Sequence, residues 1–385
     1  MVMHEIIKYF RYLNALQIFA GCSEYRGPDD DKYASCDIEA GKDRCELLQE
    51  LHQAKDFRRY FLALVPLILS LFAIILNVIV IISTLTIILR LKREGSKKRY
   101  LFLINRSFSV LIALLFFYVV LIAWKLGGFN YFSAAIFLFV GMLSFSTSTG
   151  TYLSMTILLY IAVVHPLAYK KNVTMPKCLT LIAVIWTISV GSSILVGVFG
   201  ATLFYPQTAP ITCEYDSCQF PLAVALVVIL NTSYIAVIGC YVGMVVRMHL
   251  RTSKVMPTEK CENMVGSTKS QTNVSVYSAL DRNIRAMNRL AAHLITFTVS
   301  KSPLLAVSIV ALINLSELRI LGLGHKTPCK TYEKGRLFFQ VELLASLAAI
   351  IWLLGMVIDP LICIFYDQNI YKFMKQGACK VRYML

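Results

Sequence analysis

The chain has 385 residues, of which 57% are hydrophobic and 16% are charged, and its formal net charge is +16. A water-soluble domain seldom combines so many apolar residues with so few charged ones, so the composition argues against a soluble protein and favours an integral membrane protein. The basic excess is also found in nucleic-acid-binding proteins, but its distribution along this chain points to another cause.

Seven long apolar runs follow a polar N-terminal segment. A hydrocarbon core ~30 Å thick needs ~20 residues of helix to cross it, and each run is at least that long. Backbone polar groups inside a bilayer must be satisfied within the segment, so the runs are predicted to be helices. We therefore expect an all-α membrane protein, a seven-transmembrane helix bundle with a short amphipathic C-terminal helix. The predicted spans are 61–89, 100–124, 131–164, 179–204, 220–246, 290–315 and 337–365.

Basic residues concentrate after the odd-numbered spans. The loop 90–99 holds six basic residues against one acidic residue, and the segment 247–289 holds eight against three. Excess Lys and Arg in loops marks the cytoplasmic side. We expect a multi-pass plasma-membrane protein with its N-terminus extracellular and its C-terminus cytoplasmic, in contact with membrane lipid and not with nucleic acid. The segment 316–336 dissents, because it is mildly basic on the predicted outside.

The polar segments predict four regions. Residues 1–59 form an extracellular N-terminal segment, either a small disulfide-constrained cap or a disordered tail. Residues 60–366 form the bundle, which includes a long cytoplasmic loop at 247–289 with a Ser-, Thr- and Asn-rich middle. Arg282, Arg285 and Arg289 recur at helical spacing in this loop and should extend the sixth helix into the cytosol.

Residues 367–385 are predicted to form an amphipathic helix and a cytoplasmic tail. The apolar positions Ile370, Phe373 and Met374 oppose Lys372 and Lys375. Such a helix lies along the inner leaflet. Cys379 follows among basic residues, where palmitoylation and an unmodified thiol both remain open.

Six cysteines fall on the predicted outside, where the compartment is oxidising. An even number in this setting allows up to three disulfides with the connectivity left open. The candidates are Cys22, Cys36, Cys45, Cys213, Cys218 and Cys329.

Two charges lie deep in predicted spans, Lys301 near the middle of the sixth and Asp359 toward the inner half of the seventh. A charge at mid-bilayer costs at least ~2.5–3.5 kcal/mol, so each should have a partner or a function. One interpretation is that the Lys301 ammonium reaches Asp359. The alternative is that Lys301 faces a water-filled pocket and meets a ligand anion or Glu342. Arg106, near the cytoplasmic end of the second span, is expected to extend to the lipid headgroups.

Other polar residues are candidate ligand contacts. Ser144, Ser148 and Thr151 repeat at helical spacing in the third span, where hydroxyl groups serve close helix packing or contact a ligand. Glu214 and Asp216 make the second outer loop acidic, which suits either a solvated loop or recruitment of a cationic peptide.

Several short sequence motifs occur along the spans in an order typical of one protein family. Asn77 stands in the first span, Trp186 in the fourth, Pro303 in the sixth and Asp359-Pro360 in the seventh, and the third ends in Leu158-Leu159-Tyr160. This series resembles rhodopsin-like (class A) G protein-coupled receptors, in a divergent form similar to nematode-type serpentine receptors. Departures from the family pattern are Val110 for Asp, Ser233 for Pro, Lys301 for Trp and Cys363 for Tyr.

The resemblance implies roles for several residues. In the family a sodium ion lies between the second, third and seventh helices, which makes Asn77, Ser148, Lys301 and Asp359 candidates for a polar switch. Val110 removes one carboxylate, and Lys301 is predicted to replace the ion. The family's third-helix Arg engages the G protein and pairs with a neighbouring acid at rest. Leu158 and Leu159 do neither, which puts coupling in doubt.

Three functions fit the sequence. The first is a divergent receptor for a peptide or small chemosensory ligand, with a heterotrimeric G protein as a further partner. The second is a non-signalling partner or decoy with the same fold. A transporter is the third, although the chain has no internal repeat. No enzyme motif, cofactor motif or metal-site spacing is present, and His165 and His293 stand alone.

Overall fold

The computed structural model describes residues 33, 36, 43–90, 94–125, 130–255, 270–316, 329, 332, 335–367, 370, 371, 373 and 375. Within these residues the chain is built from helices. They are α1 (Arg44–Phe57), α2 (Val65–Arg90), α3 (Glu94–Lys125), α4 (Tyr131–Val164), α5 (Pro166–Asn172), α6 (Met175–Phe204), α7 (Phe220–Val255), α8 (Ser270–Ile313) and α9 (Gly335–Tyr366), with π-helical segments at Arg58–Leu64 and Tyr215–Gln219.

Seven helices in the described part of the chain, α2, α3, α4, α6, α7, α8 and α9, are long and apolar enough to cross a membrane. The predicted seven-helix membrane bundle is thus confirmed. α8 begins at Ser270, so the sixth span continues well beyond its apolar run, as the spacing of the arginines indicates. The predicted C-terminal amphipathic helix stays a prediction, since Lys372, Met374 and Cys379 lie outside the described residues.

The bundle is apolar outside and partly polar inside. Ile75, Ile188 and Ile235 are more than half exposed on the outer surface, whereas Asn77 and Thr151 are buried between helices. Lipid solvates an apolar exterior, and helices in lipid associate through close packing and polar contacts. The polar residues of the spans therefore lie where they can connect helices.

Two glycines allow helices to approach closely. A Cβ at Gly197 of α6 would lie 2.8 Å from the Ala135 carbonyl oxygen of α4, and one at Gly355 of α9 would collide with Ser300 of α8. The second contact sets the register of α8 against α9, because Ser300 lies at the level of Gly355.

The bundle has two chemically distinct ends. The end where α2 begins and α6 ends carries the disulfides and is called the disulfide end. The loop disulfide joins Cys213 to Cys218 within the segment between α6 and α7. This pairing resolves one alternative, because Cys213 and Cys218 bond to each other and not to the N-terminal segment. The opposite end, where α3 begins and α9 ends, carries most of the basic residues and is called the basic end.

A small cap packs at the disulfide end. The terminal disulfide, Cys36–Cys329, ties the N-terminal segment to the segment between α8 and α9. Tyr33 stacks on Tyr332 with ring centroids 5.3 Å apart, and both rings pack against buried leucines of α1. Cys45 is also disulfide-bonded, and Cys22 lies outside the described residues.

Candidate functional site

A buried ion-pair cluster joins four spanning helices in the basic half of the bundle. The Arg106 Nε of α3 lies 2.8 Å from Asp359 Oδ2 of α9, and the His293 Nδ1 of α8 lies 2.7 Å from Asp359 Oδ1. The Tyr152 hydroxyl of α4 donates to Asp359 Oδ1 at 3.1 Å. Arg106 also donates to the Tyr152 hydroxyl at 3.1 Å and to Cys363 Sγ at 3.0 Å. These five residues are called the Asp359 cluster.

This arrangement corrects two expectations. Arg106 does not extend to headgroups, because its side chain is 3% exposed and is bonded inside the bundle. Among the described residues, Asp359 has Arg106, His293 and Tyr152 as partners, and of the two interpretations of Lys301 the ion pair with Asp359 is not found. The register of α8 against α9 gives the reason. Lys301 lies about five residues, or roughly 7 Å, closer to the disulfide end than Asp359, whereas Arg106 and His293 lie near the level of the carboxylate and bind it.

Lys301 lines a small cavity above the cluster. Its Nζ lies 5.4 Å from the Trp352 ring centroid and 5.9 Å from that of Phe145, which are cation–π distances. The cavity measures about 40 Å³, enough for about three water-sized occupants. Its other lining residues include Arg106, Ser109, Ser144, Ser148, Ser300 and Asp359.

The predicted hydroxyl residues of α4 divide between cavity and packing. Ser144 and Ser148 line the cavity. Thr151 is fully buried and accepts a bond from Asn105 Nδ2 at 3.0 Å. The Trp186 Nε1 of α6 in turn donates to Asn105 Oδ1 at 2.8 Å, so this chain of bonds connects α3, α4 and α6. Thr151 therefore has the packing role of the two that the sequence left open.

Asn77 connects the first and last spans. Its amide nitrogen donates to the Ala73 carbonyl at 2.8 Å and to the Met356 carbonyl of α9 at 3.2 Å. A second backbone carbonyl partner on another helix explains a buried Asn in an apolar span, because an unmade hydrogen bond in lipid is costly.

A second ion-pair cluster closes the basic end. Asp367, directly after α9, pairs with Arg99 of α3 and lies 3.2 Å from the Arg289 Nη1 of α8. The Tyr100 hydroxyl also donates to this carboxylate at 3.2 Å. Asp367 is 5% exposed. We call these residues the Asp367 clamp, because one carboxylate holds α3, α8 and the end of α9 together.

The leucines at the end of α4 are packed apolar residues. Leu159 belongs to a cluster with Met244 of α7 and with Leu290 and Leu294 of α8. Leu158 packs against Phe102 and its neighbours on the other side of α4. The positions where the family pattern has an acid and an arginine therefore contribute apolar contacts here.

Two further contacts anchor helices at the basic end. The Arg247 guanidinium of α7 donates to the Tyr160 hydroxyl at 2.9 Å. Lys98 donates to the Val173 carbonyl and lies 5.2 Å from the Tyr169 ring centroid of α5. The pKa of Tyr169 is raised, chiefly by burial and to a smaller extent by the nearby Cys178 thiol. The segment that holds α5 is thereby fixed against α3.

The remaining predicted site residues lie apart from these clusters. Glu214 and Asp216 are exposed at the disulfide end, on either side of Tyr215. Glu342 belongs to α9, but its side chain lies outside the described residues. Within the described part of the chain, no group of three His, Cys, Asp or Glu residues is arranged to hold a metal ion.

Comparison with known proteins agrees with this architecture. The sequence model of the rhodopsin family of seven-transmembrane receptors matches residues 76–334. The chain belongs to the rhodopsin family of seven-transmembrane receptors. Members of this family are receptors, so an enzymatic function is excluded. A similar protein of Caenorhabditis elegans, named "Putative G-protein coupled receptor B0244.7", is 30% identical over 216 residues, which cover 56% of this chain and 66% of the relative.

Sequence reasoning missed three residues of this receptor's polar clusters. Arg106 was assigned to headgroups, His293 was treated as a single residue, and Asp367 was given no role within the predicted tail. One signal was available for two of them. Arg106 lies seven residues after Arg99 on α3, and Asp359 lies eight residues before Asp367. If Arg99 pairs with Asp367 at the basic end, Arg106 and Asp359 therefore lie at about the same depth in the bundle and can also pair.

Proposed function

We propose that this receptor binds an extracellular peptide or small molecule at the disulfide end and signals to a heterotrimeric G protein at the basic end. The observation that carries the proposal is the Asp367 clamp, which holds α8 against α3 and the end of α9. A switch needs an element with two arrangements, and charged contacts at a helix end can form in one arrangement and be lost in the other.

The charge distribution supports this orientation. Described basic residues such as Arg90, Lys97, Lys171 and Arg247 lie at the basic end, and disulfides lie at the other. Short basic segments remain cytoplasmic and disulfides persist in oxidising compartments. The N-terminus is then extracellular and the C-terminus cytoplasmic.

The clamp takes the place of the resting lock that the resemblance implies. Leu158 and Leu159 cannot form an acid–arginine pair, but Arg289 on α8 pairs with Asp367 near the same membrane level. Loss of that pair would leave the basic end of α8 held by the apolar contacts of Leu290 and Leu294 and, further into the bundle, by the bond of His293 to Asp359. Opening of the clamp would expose a surface for the G protein.

The disulfide end supports ligand entry there. Glu214 and Asp216 are exposed in a loop held by its own disulfide, and α1 of the cap packs against α9. Exposed carboxylates favour a cationic ligand through long-range attraction. A peptide with basic residues is therefore the favoured ligand class, and a small chemosensory amine is the next.

A non-signalling partner remains the second candidate. The observation in its favour is the apolar packing of Leu159, which leaves α4 without the cation that the family uses toward the G protein.

The test is basal G-protein dissociation across a panel of α subunits in cells with verified surface expression. We expect Asp367→Asn to raise the basal signal severalfold over wild type, and Lys171→Met, an exposed charge at the same end, to leave it unchanged. Leu158→Asp/Leu159→Arg is measured in parallel. A signal from that double variant alone would favour the non-signalling partner, because the scaffold would be intact and only the coupling residues missing.

A further inference from the structure

Lys301 is a buried cation with no directly bonded counter-charge among the residues that the structure describes. It is 5% exposed and lies near the middle of a membrane span. Its neighbours are the ring faces of Trp352 and Phe145, and no hydrogen bond or ion pair joins it to another residue that the structure describes. Ring faces attract a cation, but they do not neutralise it.

The side chains that line the cavity of Lys301 have a net positive charge. Arg106 and Asp359 also line it, and these two neutralise each other at 2.8 Å. Both oxygens of Asp359 are occupied, one by Arg106 and the other by His293 and Tyr152. A metal cation entering the cavity would meet two cationic side chains and no available carboxylate, so the cavity disfavours cations.

The same cavity suits a small anion. The ammonium of Lys301 provides donors and charge, and the lining hydroxyls include that of Ser144. A buried charge in a low-dielectric medium gains most from a counter-charge at contact distance. The volume of about 40 Å³ admits one halide with a water.

We propose that this cavity binds a chloride ion against Lys301, between α4, α8 and α9. The anion neutralises the buried ammonium and connects these helices next to the close contact of Ser300 with Gly355. Bound chloride would thereby stabilise the packed arrangement of α8 and α9. This assignment is independent of whether the receptor signals.

The first experiment compares thermal unfolding of the purified receptor in sodium chloride, choline chloride and sodium gluconate at equal ionic strength. A ligand that binds only the folded state raises the Tm in proportion to the logarithm of its concentration above Kd. We expect both chloride salts to raise the Tm by roughly 2 °C over gluconate at ten times Kd. Stabilisation by sodium gluconate equal to that by sodium chloride would overturn the proposal.

Variants separate a site from a general salt effect. Lys301→Met should lose the chloride dependence, while Lys301→Arg should retain it and Lys171→Met should match wild type. Chloride dependence that survives in Lys301→Met would contradict the assignment.

If Lys301→Met does not fold, quenching of tryptophan fluorescence by iodide in the wild-type receptor tests whether an anion binds beside Lys301. Iodide quenches tryptophan on contact, and Trp352 lies beside the proposed ion. We expect a saturable quenching component that is displaced by chloride and absent in Trp352→Phe. Quenching that is only linear in iodide would refute binding at this position.

Discussion

Replacement of Arg106 by methionine tests the ion pair at the centre of the Asp359 cluster. Arg106 is 3% exposed and supplies three contacts, to Asp359 at 2.8 Å, to Tyr152 at 3.1 Å and to Cys363 at 3.0 Å. Methionine keeps much of the apolar volume and removes every donor. The substitution therefore leaves the Asp359 carboxylate buried with less compensation.

The expected loss of stability follows from what remains. Removal of one partner of a buried pair costs about 3–5 kcal/mol. Asp359 keeps His293 and Tyr152, so we expect the lower limit, about 3 kcal/mol. For a chain of 385 residues the Tm changes by roughly 1 °C per kcal/mol, so it should fall by roughly 3–4 °C.

Thermal unfolding can be followed with a thiol-reactive dye, because Cys178 of α6 is buried in the folded state. The control is Lys171→Met, which removes an exposed charge and should change the Tm by less than about 1 °C. A double-mutant cycle with Asp359→Asn should give a coupling energy of at least about 1 kcal/mol. A Tm for Arg106→Met equal to that of the control, or strict additivity in the cycle, would refute the ion pair.

Three further predictions concern packing, hydrogen bonding and the cap, all measured by the same unfolding assay. Gly197→Ala should destabilise the fold by about 1–3 kcal/mol, because its methyl group would lie 2.8 Å from a carbonyl oxygen of α4. Gly191→Ala on the same helix has open space at its Cβ and should be neutral or stabilising. Equal effects of the two substitutions would contradict the close packing. Trp186→Phe should lower the free energy of unfolding by about 1–3 kcal/mol, because it leaves Asn105 Oδ1 without its donor. A Tm equal to that of the wild type would disprove this bond. Loss of the terminal disulfide, whose cysteines are 293 residues apart, should lower the free energy of unfolding by roughly 6 kcal/mol, against roughly 2 kcal/mol for the loop disulfide with its separation of 5. The reverse order would argue against an effect on the unfolded chain.

The seven spans could be predicted from sequence because bilayer thickness imposes one length scale on every run. The basic loops likewise predicted the common end where α3 begins and α9 ends. Packing of Thr151 inside the bundle followed from its spacing with Ser144 and Ser148. These inferences need only the period of a helix and the cost of polar groups in lipid.

Partner choice inside the bundle could not be predicted in the same way. Pairing of Lys301 with Asp359 was one of two interpretations because both are deep charges, but their contact depends on the register of α8 against α9, which the approach of Gly355 to Ser300 sets. Arg106 was assigned to headgroups because a single-helix argument gives only its depth. Its contact with Asp359 requires the rotation of α3, which neighbouring helices determine.

Asp367 illustrates the same limit at the membrane surface. A carboxylate just after a span is normally solvated, and its sequence position gives no sign of burial. Only the assembled bundle brings Arg99 of α3 and Arg289 of α8 to it from opposite sides.

The most direct test of the account is the distance between α5 and α8 at the basic end, with and without the Asp367 clamp. Spin labels at Lys171→Cys and Asn288→Cys, two exposed positions, would report it in a Cys240→Ser background, since Cys240 is exposed. We expect one distance population for the wild-type clamp and an additional, longer population in Asp367→Asn. Identical distributions in the two proteins would contradict the claim that Asp367 holds α8 in its resting position.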